Sequence, residues 1–217
     1  MENVTSTSTR GSYHHGDLAN ALAAAALDLA RRGGPEAVVL REAARQVGVS
    51  ATAAYRHFAG HDDLIDTIKN VCQTELVGRM EAELAAGSPE PDPGREAVRK
   101  LRALGRGYLR FAQEEPGLFR TAFCRSHGRP DEQWTGMLTA PGFVALTSAL
   151  DEMARDGVLD AAHRQNAEMV AWSCVHGLAM LLLDGPLRML PTEQREQIVA
   201  RVLDANIAGI IGREPTA

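Results

Sequence analysis

The sequence predicts an all-α protein, and three observations carry that prediction. Alanine, the strongest intrinsic helix former, fills 34 of the 217 positions. Apolar residues recur at spacings of three and four, the period of one helix face, rather than at the alternation of a strand. The interruptions fall at Gly, Pro, Ser and Asp residues placed where helices begin and end. With 45% apolar and 24% charged residues, the chain has the composition of an ordinary globular protein with a sizeable core. The expected architecture is an N-terminal three-helix unit followed by a larger helical domain, about nine helices in all.

Several classes are excluded early. The three cysteines (Cys72, Cys124 and Cys174) are odd in number and far apart, which rules out a disulfide framework and points to the reducing cytoplasm. No segment reaches the roughly 20 apolar residues of a membrane span. Residues 1–12 are rich in Ser and Thr and lack the apolar centre of a signal peptide, so they read as a disordered arm. The net charge of −5 argues against nucleic-acid binding over the whole surface, but not against a local binding face.

The first helix starts at Asp17, carries the stripe Leu18, Leu22, Ala25, Leu29, and stops at Gly33-Gly34-Pro35. A short second helix places Leu40, Ala43, Ala44 and Val47 on one face and ends at Gly48. Ser50 is a natural N-cap for a third helix running to Phe58. Asp62 and Asp63 then occupy the first turn of a long helix over 62–86, where negative charge suits the helix dipole. Its stripe is Leu64, Ile68, Val71/Cys72, Leu76, Met80 and Leu84, and its length is on the order of 35 Å. The run Gly87 to Gly94 reads as a linker. Beyond it, helices are expected near 95–114, 116–124, 131–139, 142–156, 160–184 and 191–212, separated by Pro- and Gly-containing breaks.

The stretch Leu40 to Phe58 carries the most specific pattern. Two short helices meet at Gly48-Val49-Ser50, with Ala44, Val47, Val49, Ala54 and Phe58 turned inward, as in a helix-turn-helix. Gly48 supplies the positive φ of a tight turn, and Ala43 and Ala44 permit a close crossing. The outer face of the third helix then presents Ala51, Thr52, Ala53, Arg56 and His57. Arg56 suits a guanine edge or the backbone, and Ala and Thr methyls suit a thymine methyl. An ordinary helical hairpin shares this pattern.

Residues 13–72 resemble the DNA-binding domain of the TetR/AcrR family of transcriptional regulators. The resemblance rests on Val49-Ser50, on Ala54-Tyr55-Arg56-His57-Phe58, and on Asp62-Asp63-Leu64-Ile65 at their spacing. Tyr13-His14-His15-Gly16, together with Trp172-Ser173-Cys174-Val175-His176-Gly177, is similar to a branch whose C-terminal domain carries a Trp-x-x-x-His-Gly signature. The resemblance implies that Thr52, Ala53 and Arg56 lie nearest the bases, that Tyr55 and His57 approach phosphates, and that Ser50 and Ala51 belong to the same DNA contact. It implies that His61, Arg41 and His15 complete the DNA contact, with His61 standing where the family usually has a phosphate-binding lysine. Phe58 anchors the hydrophobic centre.

The same resemblance implies residue roles in the larger half. Met169 to Leu183 is apolar nearly all round, the mark of a helix buried on most sides. With the last helix it is expected to form a four-helix homodimer seam through Ser173, Gly177, Leu178, Leu181, Ile198, Val202 and Ala205. A small-molecule pocket for a largely apolar inducer is expected among Phe119, Phe123, Cys124, Trp134, Met137, Phe143, Met153, Trp172, His176 and Met180, adaptable or aromatic side chains suited to an irregular cavity. The basic run Arg95, Arg99, Lys100, Arg102, Arg106 and Arg110 reads as a solvated helix face.

The expected function is a ligand-responsive repressor that binds a pseudo-palindromic double-stranded operator as a dimer. The expected division is a DNA-binding domain over 13–61, a connecting helix over 62–86 and a ligand-binding and dimerisation domain over 87–217. Rivals are a redox- or metal-responsive regulator acting through Cys124 or Cys174, an activator, and a helical lipid carrier. An enzyme is disfavoured, because no Gly-rich phosphate loop, nucleophile elbow or paired-acid site occurs. No cofactor, metal or membrane partner is expected, since His14-His15 and the distant cysteines lack metal-ligand spacing.

Overall fold

The structure, a computed structural model, describes residues 15–125 and 130–212, and the side chains of 17–125 and 134–212. The N-terminal arm, Tyr13, His14 and the side chain of His15 lie outside the described residues. Within them the chain folds into eleven α-helices and two short 3-10 turns, without strands. No helix among the described residues is long and apolar enough to cross a membrane.

Helices α1 (His15–Gly33), α2 (Leu40–Val47) and α3 (Ala51–Ala54) pack together through Leu22, Ala26, Leu40, Ala43, Ala44, Ala54 and Phe58. The turn between α2 and α3 has a specific hydrogen-bond signature. Gly48 adopts φ 80°, its N–H reaches the Arg45 carbonyl at 3.2 Å, and the Val49 N–H reaches Ala44 at 3.0 Å. This nested pair, both donated back to carbonyls of α2, closes the end of α2 and aims the chain into α3. Ser50 caps α3, its hydroxyl oxygen accepting the Ala53 N–H at 3.2 Å. The third helix is shorter than expected from Ser50 to Phe58. Its last turn tightens, as Arg56 and His57 bond three residues back rather than four.

Helix α4 (His61–Ala86) runs under both halves of the molecule, and its buried side chains Leu64, Ile68, Cys72, Leu76 and Met80 form one continuous core with each. Asp63 reaches back to accept the Ala59 N–H at 2.9 Å, and His61 Nδ1–H donates to the Val38 carbonyl at 2.7 Å. His61 therefore ties α4 to the segment before α2.

The stretch 87–92 is a tight reversal rather than a domain linker, because α5 (Pro93–Glu114) folds straight back along α4. Asp92 caps α5 through the Arg95 N–H, and Arg99 clamps the reversal by binding Glu96 and the Leu84 carbonyl. The basic run on α5 is largely absorbed by acids: Lys100 pairs with Glu152, Arg102 with Asp204, and Arg110 with Glu83.

The remaining helices are α6 (Pro116–Phe123), α7 (Pro130–Thr139), α8 (Pro141–Arg155), α9 (Ala161–Arg164), α10 (Ala167–Leu183) and α11 (Thr192–Ile211). The ten helical segments laid out from the sequence become eleven because the segment 160–184 splits. Asn166 turns to φ 58°, a left-handed conformation that Asn tolerates better than most residues, and ends α9 before α10 begins.

Candidate functional site

Two sites stand out, an exposed helix face at the N-terminal end and a cavity in the larger half. On α3, Thr52, Tyr55 and Arg56 are exposed, Ala51, Ala53 and His57 are half-buried, and Ala54 and Phe58 fill the core. The outer side of α3 is thus open to solvent at Thr52, Tyr55 and Arg56. Arg41 is exposed on neighbouring α2. On the same helix Arg45 is held by Glu42 at 2.6 and 2.8 Å, and those hydrogen bonds keep the Glu42 carboxyl down at about 2. Arg41 and Arg56 make no ion pair among the described residues, so this face keeps cations available for phosphate or base edges.

The cavity has a volume of about 870 Å³ and is enclosed by α4, α5, α6, α7, α8, α10 and α11. Among the expected pocket residues, Phe123, Cys124, Trp134, Met137, Phe143, Trp172 and His176 line it. Three others do not. Phe119 is fully buried behind the wall, stacked on His176 with ring centroids 5.7 Å apart. Met153 is fully buried in a separate cluster with Leu150 and Leu159. Met180 lies on the outer side of α10, 39% exposed.

The cavity wall carries an internal polar network. The Trp172 indole N–H donates to the Tyr108 hydroxyl at 3.4 Å, and that hydroxyl lies 2.7 Å from His176 Nδ1. Burial pushes the Tyr108 phenol up and the His176 imidazole down, so both are neutral near pH 7. Across the cavity, Gln73 is buried and donates its amide to the Ala122 carbonyl at 3.0 Å. Lys69 donates to the Cys124 carbonyl at 2.7 Å and so closes the C-terminal end of α6.

Among the groups packed on His176 (Tyr108, Phe119, Phe123 and Trp172), only Tyr108 titrates, and it is neutral. The folded state therefore disfavours a proton that the unfolded chain takes up near pH 6.5. This contribution to stability is fully present above that pH and is lost as the pH falls through the lowered folded value. Melting temperature is expected to drop over that acidic window, and to drop less in His176→Phe; equal slopes would remove His176 from the balance.

Sequence reasoning missed Gln73, Tyr108 and Asn206 as cavity residues. The available signal was on α4, where Asp66, Lys69, Asn70 and Gln73 make a polar row beside the apolar stripe of a helix buried along its length. On the expected dimer seam, Ser173, Gly177, Leu181 and Ala205 are exposed and Ile198 and Val202 half-buried, but Leu178 points into the monomer core. Burial pushes the Cys124 and Cys174 thiols up, and the Cys72 thiol up to about 12, which leaves them poor thiolates. No cluster of His, Cys, Asp or Glu suited to a metal ion occurs among the described residues.

Comparison with known proteins bears on these features. In overall fold the chain is similar to a protein of unknown function from Rhodococcus sp. RHA1, with TM-score 0.64, 24% identity, and 92% of this chain and 98% of that one covered. It is also similar to the regulatory protein SCO4313, with TM-score 0.60, 17% identity, and 94% and 100% covered. No curated protein matches the chain. Two family models match: the one for bacterial regulatory proteins of the tetR family over residues 22–68, and the tetracyclin repressor-like C-terminal domain over residues 101–206. The first spans the helix-turn-helix with its exposed α3 face and the second spans most of the cavity, so this chain belongs to the tetR family of transcriptional regulators, which are DNA-binding proteins and not enzymes.

Proposed function

We propose that the protein is a ligand-responsive repressor, binding a pseudo-palindromic operator as a homodimer and released by a small, largely apolar inducer held in the cavity. Residues 13–61 act as the reading head, 62–86 as the connecting helix and 87–217 as the ligand-binding and dimerisation domain, in the branch marked by Trp172, His176 and Gly177. The observation that carries this reading is the placement of α6. Its C-terminal end, Phe123 and Cys124, lines the cavity. Its N-terminal end is wedged on α1, where a Cβ on Gly117 would stand 2.2 Å from the Ala30 carbonyl oxygen.

A ligand that displaces α6 therefore presses on the reading head through backbone contact. Arg31, at the end of α1, adds a second connection by binding Glu75 of α4 and Glu115 before α6, each at 3.1 Å. Such a ligand weakens DNA binding only by favouring the displaced state, and a coupling of about 1–3 kcal/mol corresponds to roughly 5–150-fold in affinity. The raised thiols give no support to redox control through Cys124 or Cys174.

The test starts from genome-wide mapping of bound sites, followed by titration of the operator complex with small molecules handled by neighbouring genes. Compounds that quench tryptophan emission are expected to release operator; if none of them does, the inducer reading fails. Arg56→Ala is expected to weaken specific binding by about 1–3 kcal/mol, the cost of a lost bidentate base contact. A mobility-shift titration matching the parent would remove Arg56 from the base readers.

A further inference from the structure

Resting on the reading of the cavity as the ligand site, we propose that its occupant is an uncharged, flat, hydroxylated aromatic molecule, its oxygen functions held by Gln73 of α4 and His176 of α10. Three observations point to this class: where the cavity's charges lie, what its walls are made of, and which polar atoms remain unpaired in it.

The charged lining residues, Asp66, Lys69 and Arg125, all come from one end, the start of α4 and the residue after α6. Lys69 is already engaged with the Cys124 carbonyl. The remainder of the wall, from Gln73 to Ile207, carries no formal charge. A charged ligand group lodged there would be desolvated with no counter-ion, which is costly.

The walls are aromatic and arranged around one another rather than scattered. Phe123 and His176 have ring centroids 5.1 Å apart, Trp172 and His176 5.5 Å, and Phe143 meets Trp172 edge-on at 6.3 Å. A flat ring entering this cluster finds both faces and edges to pack on, the geometry aromatic pairs prefer.

Two polar atoms of this lining, one an acceptor and one a donor, have no partner among the described residues. The Gln73 amide is oriented by its N–H bond to the Ala122 carbonyl, which can only accept. The opposite end of that amide, Oε1, is therefore an acceptor, and it meets no donor among the described residues. A Cβ on Gly142, another lining residue, would stand 3.9 Å from it. His176 supplies the complementary atom. The Tyr108 hydroxyl accepts from Trp172, and His176 Nδ1 is its one acceptor among the described residues; with the hydroxyl proton given to Nδ1, the neutral ring carries its own proton on Nε2. Nε2–H is then a donor with no partner among the described residues. An acceptor and a donor in one aromatic cavity match a ligand with a hydroxyl to give and an oxygen to receive. A plain hydrocarbon or acyl chain would dehydrate both atoms without replacing their bonds.

The experiment uses the full chain and a matched set of probes: 1-hydroxypyrene, 1-methoxypyrene, pyrene and 1-pyrenemethylammonium. Binding is read as quenching under selective tryptophan excitation, which reports on the cavity because both tryptophans of the chain, Trp134 and Trp172, line it. The hydroxyl compound is expected to bind about tenfold tighter than pyrene. The methyl ether should fall between them, and the ammonium compound should bind weakest. In Gln73→Leu and His176→Phe the preference for hydroxypyrene over pyrene should shrink, with unchanged helical circular dichroism confirming that the variants fold. Equal affinity for hydroxypyrene and pyrene in the parent, stronger binding of the cation, or no quenching by any probe overturns the proposal. Because these measurements contain no DNA, they separate the two readings. A hydroxypyrene complex that keeps full operator affinity counts against release by cavity occupancy and leaves the ligand class standing.

Discussion

Gly107→Ala is expected to destabilise the protein by about 2–4 kcal/mol, although alanine is the better helix former. In α5 a Cβ at this position would lie 2.4 Å from Met80 Cα, 2.7 Å from the Arg79 carbonyl oxygen and 2.8 Å from the Met80 nitrogen. All three are backbone atoms of α4, so no rotamer change relieves the overlap and the helices must separate. Helix propensity favours the substitution by about 1 kcal/mol, and the steric term outweighs it. Separation would also open the cavity, since Met80, Leu104 and Tyr108 line it from the two helices concerned. Gly105→Ala is the control. Its Cβ would overlap Leu203 Cδ2 at 2.7 Å, the free end of a side chain, and reach Val175 Cγ2 and Leu203 Cγ at ordinary contact distances of 3.8 and 3.9 Å, and the net change is expected within about 1 kcal/mol. Denaturant titration of the two variants checks this, and an unchanged midpoint for Gly107→Ala would show that the helix crossing has slack.

Gly177→Glu is expected to leave the monomer folded yet abolish the proposed dimer, with operator affinity falling about 100-fold or more as the linked second half-site is lost. A Cβ here would meet nothing within 4 Å in its own chain, and the position is exposed on α10 between Ser173 and Leu181. Val170, Met180 and Leu181 on the same outer side are 54%, 39% and 46% exposed, an apolar surface left open by the described residues. The proposed two-fold seam places Gly177 at its centre, where a position meets its own copy across the axis, so two carboxylates would be desolvated side by side. Sedimentation equilibrium reads the outcome directly. A variant that still sediments as a dimer would show that the seam lies elsewhere.

Gly48 and Gly107 illustrate what was legible in the chain and what was not. Gly48 was readable, because its place between a short apolar stripe and a serine cap defines a local turn, and the turn formed with the expected positive φ. Gly107 was not, because its reason for being glycine is a helix 27 residues earlier in the chain. The same divide separates the two sites. The α3 face follows from a helix of one turn whose inward residues, Ala54 and Phe58, are evident from spacing. The cavity draws on seven helices, and composition could nominate aromatic residues for it without saying which of them reach the open space. Met180 and Leu178 show why. On α10 apolar residues occupy every side, so periodicity does not mark the inner face. Packing against α5 and α11 turns Val175, Leu178, Ala179 and Leu182 inward and leaves Met180 outside.

The sequence alone determined the helical class, the helix-turn-helix and the family resemblance, because each depends on residues within a turn or two of one another: caps, stripes and a left-handed glycine. Tertiary structure alone decided the cavity and its link to the reading head. Burial of the Gln73 amide, the proton chain from Trp172 through Tyr108 to His176, and the wedge of Gly117 on α1 all join residues distant in sequence. Their chemistry arises from desolvation and contact, which no local pattern of residue types records.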